Sequence, residues 1–105
     1  MKIIYNVTVS IDYAHSEEWL TWMKDTHIPD VMATGSFLDA KLSKILAEES
    51  GGSSYSIQYL CQDMATYDHY QKEFAPKLQQ DHNLKFQGKF AAFRTLLEVQ
   101  EIFAK

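Results

Sequence analysis

Apolar and polar residues alternate with a period of two from Ile3 to Ile11. Ile3, Tyr5, Val7, Val9 and Ile11 fall on one face, and Ile4, Asn6, Thr8 and Ser10 on the other. The run is rich in β-branched residues and predicts a first strand. The alternation returns from Lys89 to Val99, with Ala91, Phe93, Thr95, Leu97 and Val99 on one side and Phe90, Ala92, Arg94, Leu96 and Glu98 on the other. Both faces of this last strand are partly apolar. The chain's own helices can cover one, and the other calls for a partner subunit.

Between these strands the period changes. Trp19, Leu20, Trp22, Met23, Thr26 and His27 share one arc at helical spacing, with Ser16 as the expected N-cap and Glu17 and Glu18 at the positive end of the helix dipole. Pro29 interrupts that ladder and starts a short further turn, which Gly35 closes. Phe37 to Glu48 reads as the second strand, although Ala40, Leu42, Ile45, Leu46 and Ala47 also satisfy a helix. Residues 49–53 make a hairpin loop, and Ser54 to Cys61 a third strand. Asp63 then caps a second helix carrying Met64, Tyr67, Gln71, Phe74, Leu78, His82 and Phe86, broken near Pro76 and ended by Gly88.

The order β-α-β-β-α-β predicts an α+β, ferredoxin-like domain spanning 1–105, with one antiparallel sheet carrying two helices on a single face. The expected strand order is 4-1-3-2. Tyr5, Val7, Val9, Ile57, Tyr59, Cys61, Ala91, Phe93 and Leu97 are expected to face the helices. Ile4, Asn6, Thr8, Ser56, Gln58, Leu60, Phe90, Arg94 and Leu96 are expected on the open face.

Composition narrows the partners. The chain has 105 residues and is 46% hydrophobic, enough for one modest core. Its net charge of −4 and scattered basic residues argue against nucleic acid. Cys61 is the single cysteine, so no intrachain disulfide and no CxxC motif is available. No apolar run suits a signal sequence or a membrane span, and a cytoplasmic location without a membrane partner is expected.

On the predicted open face, Asn6, Thr8, Gln58 and Arg94 form a polar set suited to a ligand between two sheets. They could equally satisfy one another and a partner's backbone. Arg94 is the only arginine, and a guanidinium buried there needs an acceptor from Asp39, the partner or a bound anion. His27, before the Pro-kinked turn, suits either a neutral core or cap group or a general base. The four histidines show no metal-ligand spacing, no glycine-rich phosphate loop is present, and no cofactor is expected.

Two stretches, HIPDVMATGSF at 27–37 and EFAPKLQQDHNLKFQGKFAAFRTLLEV at 73–99, resemble a bacterial domain-of-unknown-function family, the one numbered four-two-eight-six. That family is similar to the dimeric α/β-barrel group, in which two ferredoxin-like protomers press their open sheet faces together. The resemblance implies this fold and a homodimer through the open face, and it supplies no catalytic residues. Relatives in the group include cofactor-independent monooxygenases, haem-degrading enzymes and small-molecule-binding modules, among which fold alone does not choose.

Two functions follow. One is a homodimeric module that binds a small anionic or carbonyl-bearing molecule between its sheets, or serves in assembly. The other is a cofactor-independent, monooxygenase-like enzyme for an aromatic or quinol-like substrate. The first is favoured because His27, on a helix, is expected across the sheet from Arg94; whether the protein is an enzyme stays open.

Overall fold

The computed structural model describes residues 1–47 and 50–105. Its elements are β1 (Ile3–Asp12), α1 (Tyr13–Trp22), a π-helical turn (Met23–His27), α2 (Ile28–Met32), β2 (Phe37–Lys44), β3 (Gly52–Cys61), α3 (Met64–Glu73), α4 (Ala75–Lys85) and β4 (Phe90–Glu98). The sheet order is β2-β3-β1-β4 with every pair antiparallel, the expected order read from the other edge. Among the described residues no helix is long and apolar enough to cross a membrane.

Local chemistry accounts for most boundaries. Asp63 accepts from the Thr66 backbone N–H at 2.8 Å and so caps α3. Pro76 stands in the first turn of α4, where its missing N–H is harmless, and the helix breaks just before it at Phe74. Gly35 and Gly88 both take φ of +76°, the left-handed conformation that closes a helix and turns the chain toward the next strand.

Three boundaries differ from expectation. Helix α1 begins at Tyr13, directly after β1, so Ser16 lies inside its first turn and donates to the Tyr13 carbonyl at 3.1 Å instead of capping. Strand β2 ends at Lys44, where its pairing with Tyr55 stops, and the expected strand end at Glu48 and loop start at Glu49 lie outside the described residues. Strand β3 starts two residues early, because Gly52 pairs with Asp12.

The core lies between sheet and helices. Val9, Ile11, Trp19, Val31, Ile57, Cys61 and Phe86 are sealed from solvent. Beside them the rings of Tyr5, Phe37, Tyr59, Tyr67 and Tyr70 pack with centroids from 4.7 to 6.2 Å apart.

Register decides what faces what. Tyr5 stands opposite Leu96, Val7 opposite Arg94, Val9 opposite Ala92 and Ile11 opposite Phe90. Opposed residues of an antiparallel pair share a face. Phe90, Ala92, Arg94 and Leu96 therefore lie on the helix side, and Ala91, Phe93, Thr95 and Leu97 on the open side, the reverse of the expected assignment for β4. Alternation sorts a strand into two sets, and only its pairing register says which set meets the helices. With both sets partly apolar, hydrophobicity could not decide between them.

Candidate functional site

The corrected register separates Arg94 from Asn6, Thr8 and Gln58. On the open face Asn6 stands opposite Gln58, gives a side-chain N–H to Thr8 Oγ1 at 3.2 Å and accepts from the Ser56 hydroxyl. Asn6 and Thr8 thus sit in a local side-chain network on the opposite side of the sheet from the arginine.

Arg94 instead reaches a cavity between sheet and helices. Its floor is strand residues from β1, β3 and β4, and its roof comes from the π-helical turn, α2, α3 and α4. The polar groups bordering it are Arg94, His27, His82, Gln79 and the tyrosines Tyr5, Tyr59 and Tyr70. The free space is small, about 40 Å³, against roughly 10–15 Å³ for one water on the same measure. Arg94 is exposed at the mouth. Its Nε donates to the Tyr5 hydroxyl at 3.0 Å, and among the described residues no carboxylate lies within ion-pair distance of it.

The π-helical turn delivers His27 to this cavity. Pro29 has no N–H for the Asp25 carbonyl, and its ring crowds that oxygen. The chain widens, and Ile28 N–H bonds five residues back to Met23. His27 then stacks on Trp22, with centroids 5.0 Å apart and planes 25° apart, and stands 5.6 Å from the His82 ring. Among the described residues neither ring nitrogen of His27 has a hydrogen-bond partner.

The two histidines are not equivalent. Trp19, fully buried, gives its indole N–H to His82 Nε2 at 2.9 Å. An indole only donates, so Nε2 is the unprotonated nitrogen and the neutral ring carries its proton on Nδ1. Burial, then the neighbouring His27 and Arg94, hold the His82 pKa down to about 4. Burial also lowers His27, opposed by Asp30 and Asp81, so both rings are neutral at neutral pH. Only His27 is then free to accept a proton. Burial, followed by Tyr70 and Tyr5 at Tyr59 and by Tyr5 at Tyr70, raises the Tyr59 and Tyr70 hydroxyls above their ordinary range and keeps them protonated.

Two features of this site escaped the sequence. Trp19 and His82 each fell on an apolar helical stripe, and their meeting follows from both stripes facing one sheet. Tyr59 reads only as a helix-facing strand residue and Tyr70 lies outside the stripe read for its helix, yet both are buried against the cavity. Nothing in their spacing marks them.

The fold and site define a ferredoxin-like α+β protein with a polar-lined cavity under its helices. The chain belongs to the family described as Domain of unknown function (DUF4286), whose model matches residues 2–100. No curated protein matches the sequence. Among solved structures, a dimeric ferredoxin-like protein from an uncultured marine organism is similar, with a TM-score of 0.74 at 12% identity, covering 100% of each chain. HapK from Hahella chejuensis is similar with a TM-score of 0.71 at 12% identity, over 100% of this chain and 99% of that one. SnoaB, a cofactor-independent oxygenase from Streptomyces nogalater, has a TM-score of 0.69 at 12% identity, over 99% and 98%. At these identities the likeness is one of fold.

Proposed function

We propose that this protein binds a small anionic or carbonyl-bearing molecule in the cavity between helices and sheet, with Arg94 as anchor, and works as a homodimer joined through the open sheet face. The observation that carries the reading is the state of Arg94, whose only bonded acceptor among the described residues is the Tyr5 hydroxyl. A guanidinium presents its donors as a planar fork matched to carboxylates and similar oxyanions. A guest larger than a few waters enters by moving the exposed Arg94 and the half-buried Leu78 and Gln79 at the cavity wall.

Arg94→Met keeps most of the stem and removes the charge. In a thermal-shift screen of carboxylates and phenolates, a ligand at about a hundred times its Kd stabilises the wild type by ~2.7 kcal/mol. The Met variant should stay folded and lose that shift. A screen in which no compound shifts the wild type, while Arg94→Met only alters stability, would sink the reading.

A second reading is a cofactor-independent enzyme for an aromatic or quinol-like substrate. It is supported by His27 bordering the same cavity as Arg94, which the sequence had placed across the sheet. Oxidation of a quinol in aerated buffer without added cofactor, lost in His27→Gln, would favour it.

A further inference from the structure

His27 has a second side. Besides the inner cavity it borders a surface depression formed with Trp22, Asp30, Asp81 and Lys85. The groups around it are therefore arranged by sign and by side: Arg94 and His82 inward, on a cavity that Tyr59 and Tyr70 also line, and Asp30 and Asp81 outward with Lys85 at the rim. The stacked Trp22 ring holds the imidazole between the two. A neutral base thus stands with a cation on its ligand side and carboxylates at its back.

We propose that the ligand is a weakly acidic hydroxyl compound, a phenol or enol, and that His27 takes its proton on binding, leaving the oxyanion on Arg94 and the imidazolium backed by Asp30 and Asp81. The ligand O–H bond breaks, an N–H bond forms on one ring nitrogen of His27, and no electrons change hands. His82 cannot substitute, since its unprotonated nitrogen already accepts from Trp19. Tyr59 and Tyr70 are donors there, suited to the new oxyanion. The inference rests on the Arg94 reading and narrows it from anions in general to acids delivered with their proton.

The test uses p-nitrophenol, whose phenolate is coloured, at a pH where the free probe is mostly protonated, with benzoate as an anion needing no base. In lightly buffered solution with a pH indicator, the wild type should show the phenolate band on binding while releasing no proton, because His27 keeps it. His27→Gln should still bind benzoate and show no phenolate band without proton release. Asp30→Asn combined with Asp81→Asn should weaken p-nitrophenol about tenfold, one pKa unit of lost support for the imidazolium, with benzoate unchanged. A phenolate band accompanied by one released proton, or a His27→Gln variant indistinguishable from wild type, overturns the inference and leaves the Arg94 anchor standing. Binding of benzoate without p-nitrophenol does the same. Binding of neither probe overturns both.

Discussion

Trp19 donates its indole N–H to His82 Nε2 at 2.9 Å, joining α1 to α4 through one hydrogen bond in the core. The bond needs a neutral His82. With its pKa held down to about 4 by burial, first, and by His27 and Arg94, the folded protein stays unprotonated there while an unfolded histidine protonates near 6.5. The unfolded state binds the extra proton, so stability falls as pH drops from about 6.5 to about 4 and this loss then levels off. The contribution is on the order of 3 kcal/mol. Urea unfolding at several pH values in this window should show the loss. In His82→Leu that share of the slope should vanish, from a baseline lowered by about 1–3 kcal/mol because the Trp19 donor is left buried and unpaired.

The Arg94–Tyr5 bond predicts a mild phenotype for Tyr5→Phe. The ring keeps its neighbours Phe37, Tyr59, Tyr67 and Tyr70, and the exposed guanidinium turns to water. Stability should change by less than about 1 kcal/mol. Benzoate affinity, measured by calorimetry, should fall roughly fivefold, the equivalent of ~1 kcal/mol, because Arg94 is no longer held at the mouth. Unchanged affinity would show that Tyr5 does not position it.

For assembly, the open face carries Phe93 at 63% and Leu97 at 42% exposure beside Ile4 and Leu60. Phe93→Asp or Leu97→Asp should turn the proposed dimer into monomer or aggregate, since a charge buried without a partner costs several kcal/mol. Leu96→Asp, on the helix side, should leave the dimer intact. Size-exclusion light scattering reads all three, and a wild type monomeric at micromolar concentration would rule out pairing through this face.

Gly52 is held by contact, not by a turn. A Cβ there would stand 2.6 Å from the Ile11 carbonyl oxygen, which belongs to the backbone of β1. Gly52→Ala should cost about 1–3 kcal/mol as β3 shifts away from β1. A melting temperature equal to wild type would show that the strand end yields freely.

How much of this was legible beforehand differs from element to element. The β-α-β-β-α-β order, the Asp63 cap and the closing glycines Gly35 and Gly88 follow from periodicity and local backbone chemistry, which act within a few residues, and the sheet order is the usual one for that element order. The stripes carrying Trp19 and Met23, and Tyr67 and Phe86, are likewise local, and all four residues are buried.

The site followed a different logic. Whether Arg94 joins Asn6 or joins His27 depends on a one-residue choice of register between β1 and β4, two strands from opposite ends of the chain, the bond joining Arg94 to Tyr5 spanning 89 residues. A shift of one residue exchanges the two faces of a strand, and β4 has apolar residues on both, so its sequence is nearly indifferent between them. The sequence alone determined that one arginine, one histidine before a proline and a cluster of tyrosines exist on a ferredoxin-like frame. Only the tertiary structure, through long-range pairing and a widened helical turn, placed them in one cavity.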